Sequence, residues 1–177
     1  MNTFETIYSR RSIRAFNSER IDESERAAIL KAAYAAPVGR AMYDTLHLTV
    51  IENAEFLARW EKATAERFGN PELHPFYGAP TLILVSSVVS DCAMSNVNYS
   101  NAAILVQNMA LAATELGVGA CHIWGAIGVL NAEPDLKASL KLPEGMTPCC
   151  AIALGHFDGR YELRNVAENR IATDYIQ

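Results

Sequence analysis

The chain has 177 residues, 50% of them hydrophobic, and carries 15 Lys+Arg against 20 Asp+Glu for a formal net charge of -5. Such a chain buries one substantial core, which excludes disordered and fibrous classes, and its acidity argues against a nucleic-acid binder, whose cations would be many and spread. No apolar run reaches the roughly 20 residues that cross a bilayer and "MNTFETIYSRR" has no apolar leader core, so a cytoplasmic protein with no membrane segment is expected.

Taken in chain order, Asn2 or Thr3 caps a first helix on which Phe4, Ile7 and Tyr8 share a face. "YSRRSIRAF" (8–16) then gathers Arg10, Arg11 and Arg14 around Ser12. A second helix starts at Asp22, where Glu25 completes a capping-box pattern, and "AAILKAAYAA" runs until Pro37 and Gly39. "LHLTVIE" (46–52) reads as a strand from its β-branched content, and "NAEFLARWEKATAERFG" (53–69) as an amphipathic helix between Asn53 and Gly69. "TLILVSS" is a near-continuous apolar strand, which implies a sheet covered by helices on both faces. From Ala102 to Leu116 the sequence is apolar around almost a whole helical circumference, so this helix is either the centre of the core or half of a subunit interface. A stripe of Ile104, Leu105, Met109 and Leu111 would be too apolar for a monomer's surface, which favours a homodimer. "ACHIWG" reads as a strand with a tight finish, "EPDLKASLKL" as a short helix, and "PCCAIALGHF" (148–157) as a strand. From about residue 158 to 177 a polar tail with Arg160, Arg164 and Arg170 lacks a clear period and forms an arm on a single domain, 1–177.

Little in this chain performs chemistry by itself. Cys92, Cys121, Cys149 and Cys150 have neither C-x-x-C nor disulfide-framework spacing, and His47, His74, His122 and His156 are dispersed, so no metal site is expected. "GVGACHIWG" begins G-x-G but has His122 at the sixth position and follows a helix, unlike a dinucleotide fingerprint. A phosphate-binding P-loop, a Ser-His-Asp set and a carboxylate dyad are absent, which points to a cofactor that carries the reactivity. The cluster around Ser12 has two readings. Arg10 and Arg11 could offset the negative end of the first helix, or, with Ile13 and Phe16 anchoring the segment, the guanidiniums and hydroxyl could hold a phosphate.

"RRSIRAF", together with "AAYAAPV", "YDTLHLTVIE", "FYGAPTLILVS", "NAAILVQNMALAATELGVGACHIWG" and "CCAIALGH" in that order and spacing, resembles the flavin-dependent nitroreductase family over nearly the whole chain. The resemblance implies an α+β fold, an α/β/α sandwich around a mainly antiparallel sheet, with the hydrophobic helix at the centre of a homodimer and FMN in two interface sites. It implies that Arg10 and Ser12, accompanied by Arg11, hold the FMN phosphate and ribityl chain, and that Arg14 lies by the N1/O2 edge of the ring. The strand end at Ile123, Trp124 and Gly125, with His122 before it, would face flavin N5 through its backbone. Arg170 is the better match to a tail residue that closes on the phosphate, Arg164 the other candidate, and a solvated tail charge the plain alternative for Arg170.

The sequence departs from many family members after Ala36–Pro37. Where they have a Ser and an N-x-Q-P-W stretch, this chain reads "VGRAMYDTLHL", with Val38, Gly39 and Arg40 keeping the backbone role from the second subunit, and Pro37, Val38 and Gly39 are the residues expected at the flavin. Arg40 could favour an anionic substrate or the phosphates of NADH or NADPH, or be a surface residue. The family chemistry is hydride delivery from NAD(P)H to flavin N5 and onward reduction of a nitroaromatic, quinone or similar acceptor in ping-pong order, with no protein acid or base as catalytic residue. The rival reading is a non-catalytic module that binds a phosphorylated ligand or flavin.

Overall fold

A computed structural model describes residues 1–89 and 95–177; Cys92 lies outside the described residues. The first helix, α1 (Thr3–Ser9), is capped by Asn2 rather than Thr3, because Asn2 Oδ1 accepts the Glu5 N–H while Glu5 Oε2 accepts the Asn2 N–H. Its inward residues are Thr6 and Ser9. Phe4, Ile7 and Tyr8 do share a face, but in the single chain that face is exposed. The same capping reciprocity, Asp22 with Glu25, starts α2 (Glu23–Tyr34). Two 3₁₀ turns, Gly39–Ala41 and Tyr43–Thr45, lead into β1 (Leu46–Ile51). Next, α3 (Ala54–Arg67) is capped by Asn53 and released at Gly69, whose φ of 62° lets the Asn70 N–H return to Ala65 O.

After β2 (Thr81–Val88) the long helix α4 spans Ser95–Leu116, so its first described residue is seven positions earlier than the apolar stretch suggested. The strand β3 (Gly119–Ile123) is followed by α5 (Gly125–Ala132), a helix not expected from the sequence. Gly125 and Gly128 weaken its local signal, and packing secures it: the buried Trp60 Nε1 donates to Ala126 O at 2.9 Å. Then come α6 (Pro134–Ala138) and β4 (Met146–Gly155), which begins and ends two residues earlier than expected.

The sheet order is β1-β2-β4-β3 and every pairing is antiparallel. Side chains alternate between two cores. Ile83, Val85, Cys150, Ile152 and Leu154 pack with α2 and α4, whereas Leu82, Leu84, Cys121, Ala151 and Ala153 pack with α3, α5 and α6. Both faces of β2 are therefore dry, which accounts for its unbroken apolar run. A bulge at Cys149, between the Val85–Cys150 and Ser86–Pro148 pairs, interrupts this order.

The stripe expected to lie bare on α4 divides between two environments. Leu105 and Met109 are buried in the chain's own core, while Ile104 remains 37% exposed and Leu111 half-buried. Among the described residues no helix is long and apolar enough to cross a membrane, and no group of three or more His, Cys, Asp or Glu could hold a metal ion.

Candidate functional site

At Arg10 the chain leaves α1, with the Arg10 N–H returning to Thr6 O at 3.0 Å, and runs along the outer edge of β3. The Ile13 N–H donates to Ala120 O at 2.9 Å, Phe16 N–H to Tyr77 O at 3.2 Å, and Asn17 N–H to His156 O at 3.0 Å. Ile13 is buried, and the Phe16 ring sits over the paired glycines Gly119 and Gly155. A Cβ on Gly119 would stand 2.8 Å from Gly155 O and 3.0 Å from Phe16 Cε1; one on Gly155 would stand 3.2 Å from Phe16 Cδ1. The glycines thus make the seat that Phe16 needs, and Ile13 and Phe16 fix the segment between them.

Among the described residues no carboxylate pairs with Arg10, Arg11 or Arg14, since the ion pairs there use other cations. Arg11 Nη2 donates to Arg160 O at 3.3 Å, and Arg14 Cζ lies 6.0 Å from the Tyr77 ring centroid. The field of the cluster is felt by its neighbours. Burial pushes the Cys121 thiol pKa up, while Arg14, a Ser12 hydrogen bond and Arg10 pull it back. Burial and then Arg10 hold His122 below the usual imidazole value. Burial raises the Tyr161 phenol, with a Thr114 hydrogen bond and the charges of Arg10 and Arg11 opposing. Arg10 thus acts electrostatically on β3 and on the start of the tail.

Next to this row lies a cleft of about 340 Å³ lined by Thr64, Phe68, Tyr77 and the stretch His122–Ala126. Trp124 is 52% exposed and, with Phe68 and Tyr77, gives the cleft aromatic walls. The helix α5 starts at Gly125 with no side-chain cap, and while the Ile127 N–H returns to Trp124 O at 3.1 Å, the Gly125 and Ala126 N–H groups are left for water or a ligand. A cavity of about 650 Å³ between α3 and residues 69–74 contains none of the expected site residues.

The profile of the Nitroreductase family matches residues 7–156. The chain belongs to the nitroreductase family. It is 30% identical to a nitroreductase with bound FMN from Bacteroides fragilis NCTC 9343, with a TM-score of 0.81 over 99% of this chain and 100% of that one. A nitroreductase with bound FMN from Desulfitobacterium hafniense DCB-2 is 25% identical, with a TM-score of 0.84 over 99% and 100% of the two chains. The FMN reductase (NADPH) of Bacillus subtilis (strain 168) is 26% identical over 88% of this chain, which spans 66% of that longer relative.

Within this nitroreductase-family chain the expected site residues form two groups. Arg10, Arg11, Ser12, Arg14, Ile123, Trp124 and Gly125 gather at β3. Pro37 is exposed and Val38 is buried with α2 and α4, while Gly39 lies beside Thr45 and Val88, where its N–H donates to Asn101 Oδ1 at 3.0 Å and a Cβ would meet Val97 at 2.9 Å. The turn at Gly39 leads into β1, while the arginine segment runs along β3, the opposite edge of the sheet. Arg40, at a left-handed φ of 59°, is exposed next to them. In the tail Arg164 is engaged with α1, and Arg170 is exposed. Sequence reasoning gave no role to Tyr77 or Phe68. Tyr77 stands inside a quoted motif, "FYGAP", and its φ of 57°, rare for a bulky residue, is visible only in three dimensions.

Proposed function

We propose that this chain is a flavin-dependent NAD(P)H oxidoreductase that acts in the cytoplasm as a homodimer, with FMN at two sites built from both protomers. The observation that carries the reading is the row of Arg10, Arg11 and Arg14, rigidly held and without carboxylate partners among the described residues, beside an aromatic-walled cleft. Fixed cations lacking a protein partner suit a ligand that brings its own anion, and the flat walls suit a planar ring. FMN has both.

Bound FMN would supply the electron-carrier chemistry, taking hydride from NADH or NADPH and passing electrons to a nitroaromatic, quinone or similar small acceptor in ping-pong order. This chain's residues supply binding and orientation. Arg10, Arg11 and the Ser12 hydroxyl hold the phosphate, with Arg170 closing from the tail. Arg14, steadied over Tyr77, keeps a positive charge at the N1/O2 edge. Ile123, its side chain buried in the core, would present only backbone to the ring, the amides at Trp124 and Gly125 would donate toward N5, and Trp124, Phe68 and Tyr77 would exclude water. Pro37, Val38 and Gly39 of the second protomer close the far side, which is why they stand apart from Arg10 in one chain. The bare face of Phe4, Ile7 and Tyr8 and the groove of about 400 Å³ near Ile7, Leu111 and Ala112 support burial against that protomer.

The visible spectrum of the purified protein tests the flavin. A preparation that is colourless and stays colourless after incubation with FMN overturns the reading. Sedimentation tests the dimer: a stable, flavin-loaded monomer at micromolar concentration removes the shared site.

A further inference from the structure

Arg164 comes from the far end of the chain to the end of α1. Its backbone N–H donates to Tyr8 O at 3.2 Å, its Nε to the same oxygen at 2.9 Å, and its Nη2 to Ile7 O at 3.4 Å. These carbonyls belong to the last turn of a helix that the chain leaves at Arg10, so no following amide turns back to them. The neighbouring tail residues are fastened too. Tyr161 O–H donates to Val118 O at 3.0 Å and its ring packs edge-on against Phe157 at 5.4 Å, while Arg160 O accepts from Arg11. Residues 157–164 therefore form a strap over the junction between α1 and the arginine row.

Carbonyls at a helix end attract cations. The cations nearest in sequence are Arg10 and Arg11, the residues assigned to the phosphate. We infer that Arg164 is a positioning residue for the phosphate site: by occupying the Ile7 and Tyr8 carbonyls it keeps the Arg10 and Arg11 guanidiniums available to an anion. The inference rests on the reading of Arg10, Arg11 and Ser12 as the FMN phosphate clamp. It settles which arginines serve the end of α1. The residue that offsets the helix end comes from position 164, and the two arginines at that end are left for the ligand.

Equilibrium fluorescence titrations of the full-length, flavin-stripped protein with FMN and with riboflavin test this, because only FMN carries the phosphate. In Arg164→Met the preference for FMN over riboflavin should fall about tenfold, as when one charge-assisted hydrogen bond is lost, with riboflavin affinity nearly unchanged. Arg164→Lys, which restores a cation at the carbonyls, should recover most of the preference. Equal losses for both flavins, or a preference unchanged in Arg164→Met, would overturn the positioning role while leaving the clamp intact. A parent protein that binds riboflavin as tightly as FMN would overturn the clamp itself, and the inference with it. Should Arg164→Met not fold, the comparison of Arg164→Lys with the parent decides: a lysine with parental preference supports the role, and a lysine that weakens both flavins alike refutes it.

Discussion

The molecule carries two sets of three arginines, and they meet opposite fates. Arg10, Arg11 and Arg14 sit in eight residues of backbone clamped along β3, and among the described residues none has a carboxylate partner. In the tail, Arg160 pairs with Glu162 at 2.9 Å, Arg164 caps α1, and Arg170 stands exposed on a chain with no regular element. On the proposed reading, a fixed backbone whose charge meets no carboxylate among the described residues suits a ligand that brings its own anion. Charge already answered, as at Arg160, or charge on an unfastened backbone, as at Arg170, contributes little by itself.

The largest test removes the fixing. Gly119→Ala puts a Cβ 2.8 Å from a backbone oxygen and 3.0 Å from Phe16, so the strand or the ring must shift. Overpacking of this kind costs about 3 kcal/mol at its upper end, and unseating Phe16 should release the arginine row. Urea unfolding and FMN titration should both register the loss; parental values in both would mean that Phe16 does not hold the segment.

A smaller test removes the charge and leaves the backbone. Arg10→Ala should weaken FMN by ~1.5–3 kcal/mol and riboflavin by much less, whereas Arg160→Ala, which loses an exposed pair, should change neither flavin's affinity by more than ~0.5 kcal/mol. Equal effects of the two substitutions would erase the distinction between the sets. For Arg14 the difference lies between redox states, since the N1/O2 edge gains negative charge on reduction. A pair about 4 Å apart at an effective dielectric of ~20 is worth ~4 kcal/mol, and solvent access at this exposed residue halves it to ~2 kcal/mol, or about 40 mV for a two-electron couple. Arg14→Gln should therefore keep FMN bound and lower its midpoint potential by tens of millivolts in spectroelectrochemical titration. An unchanged potential with the flavin bound would reassign Arg14 to the Tyr77 contact alone.

What could be read in advance follows the range of the forces involved. The capping box at Asp22, the Asn53 cap and the Gly69 release are written within a few residues, and each was legible, whereas at the first helix the sequence left Asn2 and Thr3 as alternatives and the box with Glu5 appeared only in the structure. The sandwich was legible from the unbroken run in β2. The family likeness marked Arg10, Ser12 and Ile123–Gly125, which the fold does gather at one strand. The beginning of α4 was not legible, because "SNVNYSN" is polar and Asn-rich, and its helix is tied down by Val97 and Asn101 against Gly39. The helix α5 depends on Trp60 from 66 residues away. That Arg164 and not Arg10 answers the end of α1 depends on a contact 156 residues long, and the exposed face of α1 could be seen only once Thr6 was found bonded to Glu115.

The smallest test probes the arginine row without altering it. His122 is half-buried on β3, and burial first, then the Arg10 charge, depresses its pKa below the ordinary 6.5. Among the described residues Arg10 is the charge that acts on it, and Trp124 and Tyr77 line the same cleft. A depressed histidine stays neutral when folded, so as pH falls below about 6.5 the unfolded chain takes up a proton that the folded chain refuses. The associated stability is present above that pH and is lost in acid. A phosphate dianion held by Arg10 would offset the guanidinium, so FMN should raise the His122 pKa toward its ordinary value while riboflavin, lacking the phosphate, should not. Imidazole C–H shifts followed by NMR from pH 5 to 8, with His122→Asn to assign the resonance, separate the cases. The same upward movement with both flavins would place its origin in the ring, since water exclusion would lower the value, and no movement with FMN would put Arg10 out of contact with the phosphate.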